Sequence, residues 1–75
     1  MEEINGVKFE IKSKEVQGET LRTLVYYPDL NIEVDIPHFM PKTADDVKLG
    51  IYNRFQSEQR RIEAEKLNVE ILSKL

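Results

Sequence analysis

From Thr43 to Leu75 the chain contains no proline and a single glycine, Gly50. Nothing in such a stretch stops a helix once it has begun. Thr43 offers an N-cap hydroxyl, and Asp45 and Asp46 place carboxylates in the first turn, where they meet the positive end of the helix dipole. One helix over residues 43–75 would be about 48 Å long. A compact chain of 75 residues has a radius of gyration near 11 Å and a diameter of roughly 30 Å. The segment must therefore overhang its domain or break.

The apolar pattern sharpens that choice. Ala44, Val47, Ile51 and Phe55 form a stripe at helical spacing, suited to covering a sheet. It continues through Ile62, Val69 and Leu72, interrupted by Glu58, Glu65 and Lys66. Leu67, Ile71 and Leu75 make a second row on nearly the opposite side. In one reading the helix runs to the end, and its doubly apolar tip packs on a second copy or another protein. In the other it stops near Lys66, and Leu67-Asn68-Val69-Glu70-Ile71 forms a further strand, echoing Leu30-Asn31-Ile32-Glu33-Val34. Residues 63–66 and 72–75 are good helix formers and Glu70 and Lys74 are an i, i+4 pair, which favours the helix.

The first half of the chain has the two-residue period of strands. Asn5-Gly6 is a hairpin signal between Ile4 and Val7, so residues 2–4 can fold back as a short strand. Val7, Phe9 and Ile11 alternate with Lys8, Glu10 and Lys12. The pattern stops around Gln17-Gly18-Glu19. Thr20 to Tyr27 reads as the next strand, with Leu21, Thr23, Val25 and Tyr27 on one face and Arg22, Leu24 and Tyr26 on the other. Pro28-Asp29 makes a turn, and Leu30 to Ile36 alternates again until Pro37, which cannot donate to a ladder. The expectation is an α+β domain spanning residues 1–75. It has a three-stranded antiparallel meander with a short extra N-terminal strand (sheet about 2–37), a loop at 38–42 and a helix from 43. Phe39 and Met40, in the proline-bracketed loop, are expected to tuck under the helix start.

Composition limits the functions. A chain this short has a small core and usually needs a disulfide, a metal or a partner. There is no cysteine and one histidine, His38, so a disulfide is impossible and a structural zinc is not expected. The net charge of −3 argues against general affinity for nucleic acid or anionic membranes. No apolar run approaches the roughly 20 residues of a membrane span, and the acidic start Met1-Glu2-Glu3-Ile4 is unlike a signal peptide. A cytoplasmic setting is expected. No GxxxxGK[ST], GxGxxG, CxxC or HExxH motif occurs, and His38 has no nucleophile in a recognisable motif beside it. No catalytic residue, cofactor or metal ligand is assigned; Asp45-Asp46 lacks calcium-loop spacing.

Two binding readings remain. Arg54, Arg60 and Arg61 could face phosphates, but Glu58, Glu63 and Glu65 share their helix and offset them. A protein-interaction module is favoured. Its candidate residues are Ile62, Leu67, Val69, Ile71, Leu72 and Leu75 on the helix, with Leu24 and Tyr26 on the outer sheet face. A second copy of the chain is the expected partner, with another protein as the alternative.

Overall fold

The computed structural model describes residues 1–75. Four strands precede one helix: β1 Glu2–Ile4, β2 Val7–Gln17, β3 Thr20–Tyr27, β4 Ile32–Phe39 and α1 Ala44–Ser73. The strands form one antiparallel sheet in the order β1-β2-β3-β4. The architecture is the α+β meander expected, with residues 2–4 as its fourth strand. Asn5 (φ 48°) and Gly6 (φ 82°) both take positive φ in the β1–β2 turn, which is why this residue pair suits it.

Register explains the core. Val7, Phe9 and Ile11 face the helix beside Thr23, Val25 and Tyr27 of β3 and Val34, Ile36 and His38 of β4. Most are buried, as are Ile51 and Phe55 of α1. Between Ile11 and Ser13 the pairing with β3 slips by one residue, leaving Lys12 unopposed as a bulge. Beyond it the inward positions change from odd to even, so Val16 lies opposite Leu21. β2 is therefore much longer than its apolar alternation suggests.

Three local expectations need correction. The β3–β4 turn extends to Asn31, whose φ is 54° and whose N–H, like that of Leu30, bonds to the Tyr27 carbonyl. The strand thus begins at Ile32 rather than Leu30. Pro37 does not end it: β4 continues to Phe39, with Pro37 opposite Arg22 and His38 opposite Leu21. β4 is an outer strand, where a residue without an N–H can be accommodated on the open side of the ladder. Finally, Phe39 and Met40 do not tuck under the helix and are 74% and 59% exposed. The alternation through β4 turns His38 inward and Phe39 outward. Met40 adopts φ 48° and donates its N–H to the Glu19 carbonyl at 2.9 Å, closing the end of the sheet.

The helix starts as its sequence requires. Thr43 is extended, its Oγ1 accepts from the Asp46 N–H, and Asp46 Oδ2 accepts from the N–H groups of Thr43 and Lys42. This reciprocal cap satisfies donors that the first turn leaves free. Thirty residues follow without a break, so residues 67–71 are helical and not a further strand. At about 45 Å the helix accounts for the 48 Å long axis of the molecule, and the radius of gyration is 14.7 Å. Its last buried residue is Phe55 and its last half-buried one is Ile62. The remainder overhangs.

Candidate functional site

The overhang is the feature a small core does not explain. Leu67, Val69, Ile71, Leu72 and Leu75 are 57%, 66%, 50%, 69% and 96% exposed. At about 100° per residue, Leu67 and Ile71 lie roughly 140–180° round the axis from Ile62, whereas Val69 and Leu72 stay within about 80° of it; Leu75 follows the C-cap Lys74, just beyond the helix. The first row, Ile62-Val69-Leu72, prolongs the face that carries Ile51 and Phe55. Ile62, Glu65, Lys66, Val69 and Glu70 line a shallow open groove there. The second row lies on the back of the helix, the side turned from the sheet, as does Leu49, half exposed near the other end.

Surface area gives the same picture. The chain exposes 5512 Å². A compact monomer of 8.8 kDa exposes about 4,800 Å², so the excess is about 700 Å². The excess follows from the elongated shape, 48 × 25 × 18 Å, that the overhanging helix gives the molecule.

The outer sheet face is different. Leu24 and Tyr26 are half-buried among polar neighbours rather than forming an apolar patch. The Tyr26 hydroxyl donates to Asn31 Oδ1 at 2.9 Å, Lys12 Nζ sits 5.6 Å from its ring centre, and Arg22 pairs with Asp35 at 3.2 Å. The structure does not bring these two residues together with the helix candidates. Phe39, which projects onto this face, and Met40 are exposed residues that sequence reasoning placed inside.

The helix arginines are largely engaged. Glu58 accepts from Arg54 Nε at 3.0 Å and from Arg61 Nε at 2.8 Å, and Arg61 also reaches Glu65 at 2.7 Å. The hydrogen bonds from Arg54, then Arg61, hold the Glu58 carboxyl below the usual carboxylate range. Only Arg60 of the three arginines makes no ion pair. This is a solvated charge ladder along the helix, which leaves little unpaired positive charge for phosphates.

His38 has a partner that could suggest chemistry: its Nε2 lies 2.8 Å from Thr23 Oγ1. A hydroxyl beside an imidazole is half of a nucleophile–base pair. Here both residues are buried, at 2% and 7% exposure, and burial lowers the His38 pKa. No third side chain hydrogen-bonds the ring, and the Thr23 hydroxyl belongs to a residue only 2% exposed. The pair is a packed polar contact between β3 and β4. No three potential metal ligands among the histidine and carboxylates converge, and no helix is long and apolar enough to cross a membrane. Comparison of the chain with protein-family models, curated proteins and solved structures finds no match.

Proposed function

We propose that this chain is a non-enzymatic protein-interaction module that self-associates through the overhanging end of α1, residues 62–75. The observation that carries this reading is the helix tip, apolar on two sides and covered on neither. An isolated helix end of this length has little to hold it in water, because tertiary packing supplies most helical stability in proteins. A second copy supplies that packing. Leu67 and Ile71 form the self-associating row, one turn apart on the back of the helix, with the exposed Leu75 just past the C-cap. Ile62, Val69 and Leu72 remain on the other side of the same helix, where such a dimer can meet a further protein, as an adaptor or assembly factor does.

The test is Leu67→Glu combined with Ile71→Glu, examined by analytical ultracentrifugation with circular dichroism alongside. The variant should fall to the mass of one chain while retaining its sheet, because neither residue touches the core. A wild-type protein that is itself monomeric opposes the reading. The nucleic-acid alternative is opposed by the engaged arginines. It would take first place if a salt-sensitive complex with duplex DNA or RNA were lost on Arg54→Ala with Arg61→Ala.

A further inference from the structure

His38 is the only histidine of the chain and is 7% exposed. Its ring stands between two elements. Nε2 lies 2.8 Å from Thr23 Oγ1 on β3, and the Nδ1 edge faces α1, where a β-carbon on Gly50 would come within 2.9 Å of it. No protein group hydrogen-bonds Nδ1. Every buried side-chain nitrogen or oxygen has a partner, so Nδ1 opens on the shallow cleft that His38 lines with Met40, Pro41, Lys42, Asp46 and Gly50. We propose that His38 is a pH-sensitive latch, whose protonation at Nδ1 through this cleft releases the first two turns of α1, residues 44–50, from the end of the sheet.

The neutral ring suits its place. A hydroxyl both donates and accepts, so Thr23 satisfies Nε2 in either tautomer. Protonation puts a charge on a ring that water reaches only at one edge, and adds a second N–H that needs an acceptor. The charged groups around it supply none that is free. Lys42 lines the cleft from the loop, and Lys14 of β2 stands opposite Thr23 on the same face of the sheet, so both add positive charge. On α1, Lys48 reaches towards Glu2 of β1 and Asp45 does not line the cleft. Asp46 is the one carboxylate there, and its Oδ2 already accepts from the N–H groups of Lys42 and Thr43. If the imidazolium draws Asp46 to itself, the helix loses part of its cap. If Asp46 stays, the ring must take up water beneath Gly50. Both outcomes loosen the same turns.

Release stays local because these turns are held least. No residue from Ala44 to Gly50 is buried, and the first buried residue of the helix is Ile51. There the Tyr27 hydroxyl donates to the Ile51 carbonyl and fixes the helix to the sheet. Gly50, just before that point, is the residue of these turns that loses least by unwinding. Thr23 cannot yield in the same way, since β3 is bonded to a strand on each side. Burial lowers the His38 pKa. The latch is therefore closed above the ordinary value near 6.5 and opens as pH falls below it through the lowered one.

Amide hydrogen exchange of the whole chain, followed by NMR between pH 7 and pH 5 and corrected for intrinsic exchange, reads the opening directly. Protection of the Val47, Lys48, Leu49 and Gly50 amides should fall about tenfold or more, with a midpoint that follows the His38 ring titration. Val25 and Phe55 should keep their protection. In His38→Gln, which can still bond Thr23 but takes up no proton, residues 47–50 should stay protected across the range. Unchanged protection of residues 47–50 in the wild type, or a fall whose midpoint is unrelated to the ring, would overturn the latch. So would an equal fall in His38→Gln, or a parallel fall at Val25 and Phe55, which marks global unfolding.

Discussion

The buried Tyr27 hydroxyl donates to the Ile51 carbonyl oxygen across 2.7 Å, joining the centre of the sheet to the part of α1 that faces it. The Tyr27 ring also packs on Phe55, with centroids 5.4 Å apart and planes tilted by 59°. The overhang beyond Phe55 is therefore projected from a fixed point. Tyr27→Phe keeps the ring and removes the hydrogen bond. It should cost about 1 kcal/mol in urea unfolding, since a net buried hydrogen bond contributes roughly 0.5–1.5 kcal/mol. An unchanged midpoint would mean that the hydroxyl contributes nothing.

The same phenol has a signature at high pH. Burial pushes its pKa up to about 12, from an ordinary value of 10. The unfolded chain ionises first, so the stability this residue contributes is complete below about pH 10 and is lost as pH rises towards 12. Spectroscopic titration should show a late tyrosine ionisation step, and Tyr27→Phe should remove it.

A second contact fixes how closely the helix lies on the sheet. A β-carbon on Gly50 would stand 2.9 Å from Nδ1 of the buried His38 ring. Alanine normally favours a helix over glycine by about 1 kcal/mol. At this position the clash should outweigh it and leave Gly50→Ala net destabilising by on the order of 1 kcal/mol. In a His38→Ser background the obstruction is gone, so the same substitution should become stabilising. Thermal or urea denaturation of the wild type, the two single variants and the double variant measures both signs.

His38 itself makes stability depend on pH in the acid range. Its pKa is lowered by burial, so the unfolded chain binds the proton more readily. The contribution is fully present above the unfolded value near 6.5 and is lost as pH falls below it through the folded value. Unfolding midpoints of the wild type should drop between pH 7 and pH 5 by more than those of His38→Gln. Parallel curves would indicate a proton taken up without penalty.

The helix start gives the most local expectation. Thr43→Ala removes the oxygen that accepts the Asp46 N–H and should cost about 1 kcal/mol, within the range for N-cap losses. An unaltered denaturation curve would mean that the Asp46 carboxylate alone carries the cap.

How far the fold could be read from residues follows from how local each cause is. Asn5-Gly6, the alternation in β2 to β4 and the Thr43–Asp46 cap act within a few residues, and each was legible. Pro37 misled because its tolerance depends on β4 being an outer strand, a fact of the whole sheet. Lys12 is a bulge only in relation to β3. Phe39 and Met40 looked like core because they are large and apolar, yet the inward place in β4 belongs to His38. Residues 67–71 alternate like Leu30 to Val34, but without a helix-breaking residue before them the helix carries through. The candidate site was legible as two apolar rows. What covers them is absent from a single chain's packing.

The most direct measurement is sedimentation equilibrium of the wild-type chain over a range of concentrations extending to tens of micromolar. Self-association through α1 predicts a mass that rises with concentration to twice the 8.8 kDa of one chain. A mass that stays at 8.8 kDa throughout would contradict it.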